Sequence, residues 1–178
     1  MLKSLDYALI GVVAEKKQGI SCSKHFIRCL SYVGVIDKIS SIYQFVPDDI
    51  KEDIKNESLH THLCFSILLQ VKESEDWGAD FGSQIKKFAD KSAGMTSSRN
   101  FEVQVLDFRS QFAMSHGLTI PYPMWTERPE FLFPSLEIIP DFYVHPVLNE
   151  PLTADLIDQK VWMNSEFLQT GRSLLTSG

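Results

Sequence analysis

Four apolar, strand-like runs, separated by two amphipathic, helix-like segments, dominate the first two thirds of the chain. The first run, residues 7–13, reads Tyr-Ala-Leu-Ile-Gly-Val-Val and is almost continuously apolar. A strand that is covered on both faces has this pattern, whereas a half-exposed strand alternates apolar and polar residues. The run therefore predicts a central strand, and the rest of the chain has to supply a layer on each side of it.

Two helices are predicted by apolar residues that recur at helical spacing. Ser21 and Ser23 are candidate N-caps for the first helix, and Gly34 is its candidate C-terminal stop. The second helix is expected to begin at Ser74 and to end near residues 91–94. Its apolar stripe consists of Trp77, Phe81, Ile85 and Phe88.

Three further strands are predicted at residues 36–46, 60–71 and 99–108. Residues 47–58, between the second and third strands, are rich in acidic side chains, so we expect an exposed loop there. The order β-α-β-β-α-β predicts an α+β ferredoxin-like sandwich, in which two helices cover one face of an antiparallel sheet. The other face then needs a separate cover, for which the proline-rich segment from residue 118 onward is the candidate.

Length and composition favour one domain. A chain of 178 residues with 44% hydrophobic residues can bury one core, so we expect a single domain over residues 1–178, with its core at 5–160 and a tail at 161–178. Residues 154–160 and 165–175 suggest one or two terminal helices. No apolar run approaches the length of a membrane span, and the cytoplasm is the simplest location.

Charge and cysteine content disfavour several classes of function. The net charge of −6 disfavours nucleic-acid binding, which needs a basic face, but two or three arginines suffice for a small anion. The three cysteines lack C-x-x-C spacing, which argues against a disulfide framework and a structural zinc site. Cys22, Cys29 and Cys64 are therefore expected to be small buried residues.

The proline-rich segment carries a resemblance to a known family. Residues 118–128 read LTIPYPMWTER, residues 131–141 read FLFPSLEIIPD, and residues 144–148 read VHPVL. Their spacing resembles the L-T-[LIV]-P-H-P-x-x-x-x-R, P-L-x-E-I-x-P-[DE] and H-P motifs of the bacterial 6-hydroxymethyl-7,8-dihydropterin pyrophosphokinases of folate synthesis. The resemblance implies the same ferredoxin-like core. It also implies an activity, the transfer of pyrophosphate from ATP to a hydroxymethyl-pterin with two magnesium ions.

In that family an Asp-x-Asp pair on the fourth strand holds the magnesium ions. Residues two apart on a strand share a face, so both carboxylates can act on one triphosphate. The resemblance places Glu102 and Gln104 at these positions. Because an amide is a weaker magnesium ligand than a carboxylate, a weakened metal site is implied. Asp107 lies an odd number of residues from Glu102, so we expect it to face the opposite side of the sheet.

The resemblance assigns ligand contacts to four further residues. Arg99 and Arg128 are the implied catalytic residues, in contact with the phosphates of the nucleotide. Tyr122 takes the place of a phosphate-contacting histidine, and Tyr43 is retained as a residue of the binding site. Three other motifs differ from the family. The first-strand Gly-Ser-Asn is here Gly11-Val12-Val13 and keeps only its glycine. The pterin-reading asparagine is replaced by Cys64, and the stacking aromatic is replaced by Glu130.

Structural interpretations stand beside the chemical ones. Arg99 and Arg128 could instead form ion pairs with Glu127, Glu130 or Glu137 that hold the loops in place. His60 and His62 share a strand face but have no third metal ligand beside them. The remaining aromatic candidates suit packing better than ligand binding, with His145 as a turn-fixing residue and the three tryptophans as core residues: Trp77, Trp125 and Trp162.

Two functional hypotheses follow. In the first, the chain is a divergent pyrophosphokinase that uses ATP and magnesium to modify a pterin, with the two arginines on the phosphates. In the second, it is a pseudoenzyme or binding module that keeps the sandwich and serves through another ligand or a protein partner. The replacement of several charged groups at once favours the second, because each such group contributes several kcal/mol to phosphoryl transfer. The motif frame favours the first, which is the leading hypothesis because no other chemistry has motif support.

Overall fold

The computed structural model describes residues 7–45, 62–72, 78–96, 100–115, 117–153 and 168–169. It contains three helices in these ranges: α1 (Lys16–Leu30), α2 (Gly78–Thr96) and α3 (Pro129–Ile138). The strands in these ranges are β1 (Tyr7–Glu15), β2 (Gly34–Ile39), β3 (Tyr43–Phe45), β4 (His62–Val71), β5 (Phe101–Phe108), β6 (Ala113–Ser115), β7 (Leu118–Ile120) and β8 (Leu168–Gln169).

The first strand is central to the main sheet, as its apolar sequence predicts. β1 pairs antiparallel with β4 on one side and with β5 on the other. All of its residues except the first and last are buried, because layers lie against both faces. β2 and β3 pair with opposite ends of β4, and β8 pairs with β3 at the edge. The predicted α+β ferredoxin-like sandwich is confirmed.

The two predicted helices cover one face of this sheet. Phe26 and Leu30 of α1 and Phe81 and Ile85 of α2 are fully or almost fully buried in that core. The prediction that a serine caps α1 is wrong, because the helix begins at Lys16, directly after β1. A Cβ atom at Gly19 would collide with the side chain of Ala14, so the glycine lets the helix fold back on the strand without a loop.

The proline-rich segment covers the other face, as expected, and part of it is helical. α3 packs against β4 and β1, and its Phe131, Leu132 and Ile138 are buried with residues of the sheet. The helix was not predicted. Pro129 occupies its first turn, where proline is well tolerated because the backbone N–H there has no partner within the helix.

A β-bulge in β5 reverses the expected direction of Asp107. Leu9 of β1 pairs with Asp107, but the next residue, Ile10, pairs with Val105, so Leu106 is an extra residue. Leu106 is buried in the core beneath α3, and the Asp107 side chain binds Tyr143 of that same layer. Asp107 therefore faces the same side as Glu102, and the prediction from simple strand alternation is wrong.

Other boundaries also differ from the prediction. The second predicted strand is divided into β2 and β3 at Ser40 and Ser41. The Ser40 N–H still donates to the Ser66 carbonyl of β4, but the Ser66 N–H donates to the Ser40 hydroxyl, and the Ser41 N–H donates to Glu137. The predicted helix at residues 165–175 is wrong at Leu168–Gln169, because these two residues form strand β8. The hairpin of β6 and β7 was not predicted.

Several predictions fall outside the described residues. They are the acidic loop at 47–58, the start of the second helix with Ser74 and Trp77, the terminal helix at 154–160, and Trp162. The extent of the single domain stays a prediction. Of the helices in the described ranges, none has both the length and the apolar character needed to cross a membrane.

Candidate functional site

An ion-pair network centred on Arg128 lies where α3 begins, above the first half of β5. Two guanidinium nitrogens of Arg128 donate to the two carboxylate oxygens of Glu102, at 2.7 and 2.9 Å. The third, Nε, donates to Glu130 at 2.6 Å, and Nη1 also donates to the Tyr122 hydroxyl at 3.0 Å. All of the nitrogens of this guanidinium therefore have partners within the chain.

These contacts favour the charged forms of both partners. Burial alone would raise the pKa of the Glu102 carboxyl, but the hydrogen bonds from Arg128 and Gln104 outweigh it, so the pKa lies below its ordinary value. For Arg128, burial alone would lower the pKa of the guanidinium. The hydrogen bonds and charges of Glu102 and Glu130 outweigh burial, so this pKa is raised. The network therefore pairs one guanidinium with two carboxyl groups, those of Glu102 and Glu130.

The position of Arg128 depends on an aromatic contact that the sequence did not reveal. Its guanidinium carbon lies 4.5 Å from the centroid of the Phe131 ring, and Tyr122 contacts the same ring edge-to-face at 5.4 Å. Beneath Phe131 lies Gly11, where any Cβ atom would collide with the ring. The one glycine retained from the family's first-strand motif therefore makes room for the residue that supports Arg128.

A cavity of about 280 Å³ opens beside the network. Glu102, Arg128 and Glu130 line its charged side, and Val13, Phe45, His62, Asn100 and Phe101 complete the wall. His62 is thus part of the cavity wall, and Cys64 is not. His62 contacts the Phe45 ring at 5.7 Å, whereas Cys64 is fully buried and is not among the residues that line the cavity.

The donor set does not fit a pair of magnesium ions. Both oxygens of Glu102 are bound by Arg128, and the Gln104 side-chain nitrogen donates to Glu102 at 3.0 Å. Magnesium prefers oxygen ligands that are not already neutralised by a cation. Among the described residues, no group of three His, Cys, Asp or Glu side chains could hold a metal ion.

Of the remaining predicted site residues, the structure describes Tyr43. Tyr43 does not line this cavity: its hydroxyl donates to Glu137 at 2.9 Å. Burial, with the neighbouring Glu137 carboxylate, raises the pKa of Tyr43 to about 12. Glu137 also accepts from the Ser41 N–H and hydroxyl, so it ties α3 to the link between β2 and β3. Arg99 and His60 lie outside the described residues.

Several structural interpretations agree with the packing. Trp125 is fully buried, and its indole N–H donates to the Ser135 hydroxyl. The His145 ring lies against Trp125, with 5.0 Å between the ring centroids. The Nδ1 atom of His145 accepts from the backbone N–H groups of Val147 and Leu148. His145 is thus a packed, turn-fixing residue, as expected. All three cysteines are buried, and they form no disulfide with one another.

The fold is a ferredoxin-like sandwich, and solved structures with a similar fold are found among the HPPK-DHPS proteins. Among solved structures, the chain is similar to HPPK-DHPS of Plasmodium falciparum, where HPPK abbreviates the family that the sequence resembles. The wild type matches with a TM-score of 0.60 and 11% identity over 82% of this chain and 43% of that chain. A triple mutant with STZ-DHP matches with a TM-score of 0.63 and 10% identity over 89% of this chain and 46% of that chain.

A further match is HPPK-DHPS in complex with substrates, with a TM-score of 0.58 and 11% identity over 82% of this chain and 42% of that chain. This chain therefore spans less than half the length of these proteins. At such identities the likeness concerns the fold alone. No family model matches the sequence, and no curated protein matches it.

Proposed function

We propose that this protein is a pyrophosphokinase-like protein that has lost two-metal pyrophosphate transfer and acts by binding a small molecule or a protein partner. The observation that carries the proposal is the bidentate pair between Arg128 and Glu102. In the resembling family, the arginine faces phosphate and the carboxylate faces magnesium. Here each neutralises the other, so neither is poised for that reaction.

The charges beside the cavity support the same conclusion. To bind a nucleotide phosphate, Arg128 would have to give up its contacts with Glu102 and Glu130. Each charge-assisted hydrogen bond of this kind is worth about 1.5–3 kcal/mol. The freed carboxylates would then lie near a polyanion, and a phosphate at this position would be repelled rather than stabilised.

A second candidate is retained activity in folate synthesis: pyrophosphate transfer from ATP to 6-hydroxymethyl-7,8-dihydropterin. It is favoured by one specific observation, the meeting of Arg128, Glu102 and Tyr122 at one end of the sheet, with Arg128 and Glu102 lining the cavity there. In this candidate Arg128, with Arg99, contacts the phosphates. The described residues offer no fitting donor set for magnesium. The cytoplasmic location stays a prediction.

One assay separates the two candidates. The protein is incubated with ATP, magnesium chloride and 6-hydroxymethyl-7,8-dihydropterin, and AMP is quantified by chromatography. We expect no AMP above the level of a heat-inactivated sample. AMP that disappears in Arg128→Ala but persists in the matched surface variant Glu127→Ala would refute the proposal and establish the second candidate.

Calorimetry then identifies the type of ligand. Titration with the pterin and with a non-hydrolysable ATP analogue tests the small-molecule form of the proposal. Binding of the pterin without turnover supports a pterin-binding module. If neither compound binds, a protein partner is the form of the proposal that stands, and pyrophosphate transfer is excluded by the same result.

A further inference from the structure

A second cavity lies at the opposite end of β1 and β5 from the Arg128 network. Its volume is about 320 Å³. Leu9 and Leu68 of the sheet line it from below, and residues Ile139 and Phe142 that follow α3 line it from above. Along β1, Leu9 is four residues from Val13 of the first cavity, or roughly 13 Å at the rise of a strand. The two cavities are separate sites.

One ionisable carboxyl group lies within the apolar wall of this cavity. Asp107 is only 5% exposed, and it lines the cavity because the β-bulge turns its side chain toward the α3 layer. Its Oδ1 accepts from the Ser110 N–H at 3.1 Å, and its Oδ2 accepts from the Tyr143 hydroxyl. Burial raises the pKa of this carboxyl, and the hydrogen bonds it accepts offset part of that effect.

The turn beside Asp107 is held in an unfavourable conformation. Arg109 and Ser110 have φ angles of +52° and +54°, and the Gln111 N–H donates to the Phe108 carbonyl at 2.8 Å across them. Two consecutive residues of this kind are usually Asn or Gly, because other side chains are strained there. Strained backbone of this sort concentrates at binding sites, where the surrounding structure maintains it.

Arg109 also lines the cavity, but its charged end lies away from Asp107. Its guanidinium carbon lies 5.3 Å from the centroid of the Phe108 ring, and that ring belongs to the core beneath α1 and α2. The charged end of Arg109 is therefore directed toward the helical face. Asp107, by contrast, is bound on the α3 face through Tyr143.

We propose that this cavity binds a small, mostly apolar molecule that carries an N–H donor group, such as an amine or an amino-heterocycle. Its apolar body would contact Leu9, Leu68 and Phe142, and its donor would bind the Asp107 carboxyl. A buried carboxyl in an apolar pocket selects donors over acids, because an anionic group there would be repelled and unpaired. This site is independent of the function proposed for the Arg128 cavity.

The test uses 2-aminobenzimidazole as the probe and 2-naphthoate as an apolar control of opposite head-group chemistry. Backbone amide shifts of the ¹⁵N-labelled protein are followed by NMR during titration with each compound. We expect the amine probe to shift residues 107–110 and 139–144. The acid should bind at least tenfold more weakly.

Three variants locate the site. Asp107→Asn should weaken binding of the amine roughly tenfold, because the amide offers one acceptor oxygen where the carboxyl group offers two. Phe142→Ala, at a side chain that is 63% exposed, should weaken binding severalfold without affecting folding. Glu102→Gln, in the other cavity, should leave binding unchanged.

Three results would overturn the proposal: shifts that map to the Arg128 cavity, equal binding of the acid and the amine, or unchanged affinity in folded Asp107→Asn. If Asp107→Asn does not fold, Phe142→Ala decides in its place. Affinity unchanged by Phe142→Ala would then reject the site.

Discussion

Replacement of Arg128 by methionine tests whether the ion-pair network stabilises the fold. The change keeps an unbranched apolar stem beside Phe131 but removes the three hydrogen bonds to Glu102 and Glu130. The side chains of Arg128 and Glu102 are 27% and 37% exposed, so the network lies between a buried and a surface ion pair. Loss of one buried partner costs about 3–5 kcal/mol, and an exposed pair contributes about 0.2–1 kcal/mol.

We therefore expect the free energy of unfolding to fall by about 2–3 kcal/mol at pH 7, and Tm to fall by roughly 4–12 °C. The pH dependence carries more information. In the wild type, the lowered pKa of Glu102 stabilises the fold at pH values above the pKa of this group in the unfolded chain. This stabilisation is lost as the pH falls through the lower pKa of the folded state. In Arg128→Met the arginine no longer lowers the pKa of Glu102, so burial should raise it. Low pH protonates the buried carboxyl and should therefore reduce the loss of stability in the variant.

Urea denaturation at pH 7 and pH 4 measures the difference between wild type and variant. That difference should be smaller at pH 4. Arg28→Met, an exposed arginine in the last turn of α1, is the matched control and should change stability by no more than about 0.5 kcal/mol. A loss under about 0.5 kcal/mol for Arg128→Met, or one that does not depend on pH, would falsify the idea that this network is a stabilising contact.

Three further predictions concern the contacts around the site. Gly11→Ala should cost about 1–3 kcal/mol in urea denaturation, because its methyl group would displace the Phe131 ring; an unaffected variant would mean that the ring can move freely. Glu137→Ala should lower the free energy of unfolding by about 1–3 kcal/mol, because it leaves Ser41 and Tyr43 without this acceptor. The control Glu127→Ala should change it by no more than about 0.5 kcal/mol. Similar losses in the two variants would contradict the tie between α3 and the β2–β3 link. Burial lowers the pKa of His145, so stability should decrease as pH falls below the ordinary value of about 6.5, and His145→Gln should flatten that slope.

The sequence predicted those features that depend on local pattern. The apolar run at 7–13 identified a strand buried on both faces, and the stripe containing Phe81 and Ile85 identified the buried face of α2. The early start of α1 was missed because it depends on contact between Gly19 and Ala14. The serines offered an equally good local signal for a cap, but Ser23 is buried inside the helix.

Within the candidate site, residue identity was readable but pairing was not. Arg128, Glu102 and Tyr122 were all singled out from the motif frame, and the sequence left open whether Arg128 binds phosphate or a carboxylate. Only the packing of α3 on the sheet brings Arg128 within hydrogen-bond distance of Glu102, which lies 26 positions earlier in the chain. Phe131 and Asp107 were missed or misplaced, since an aromatic beneath an arginine and a bulge in a strand have no dependable local signal.

The sequence by itself determined the β-α-β-β-α-β order of the sandwich, the cover over the second sheet face and the resemblance of its proline-rich segment to the pyrophosphokinases. These follow from periodicity and from the limited conformations of proline and glycine. The tertiary structure decided which charges meet. It paired Arg128 with Glu102 and Glu130. Through one extra residue in β5, it also directed the Asp107 side chain toward the second cavity. Such contacts depend on register and packing between distant segments, which no local pattern specifies.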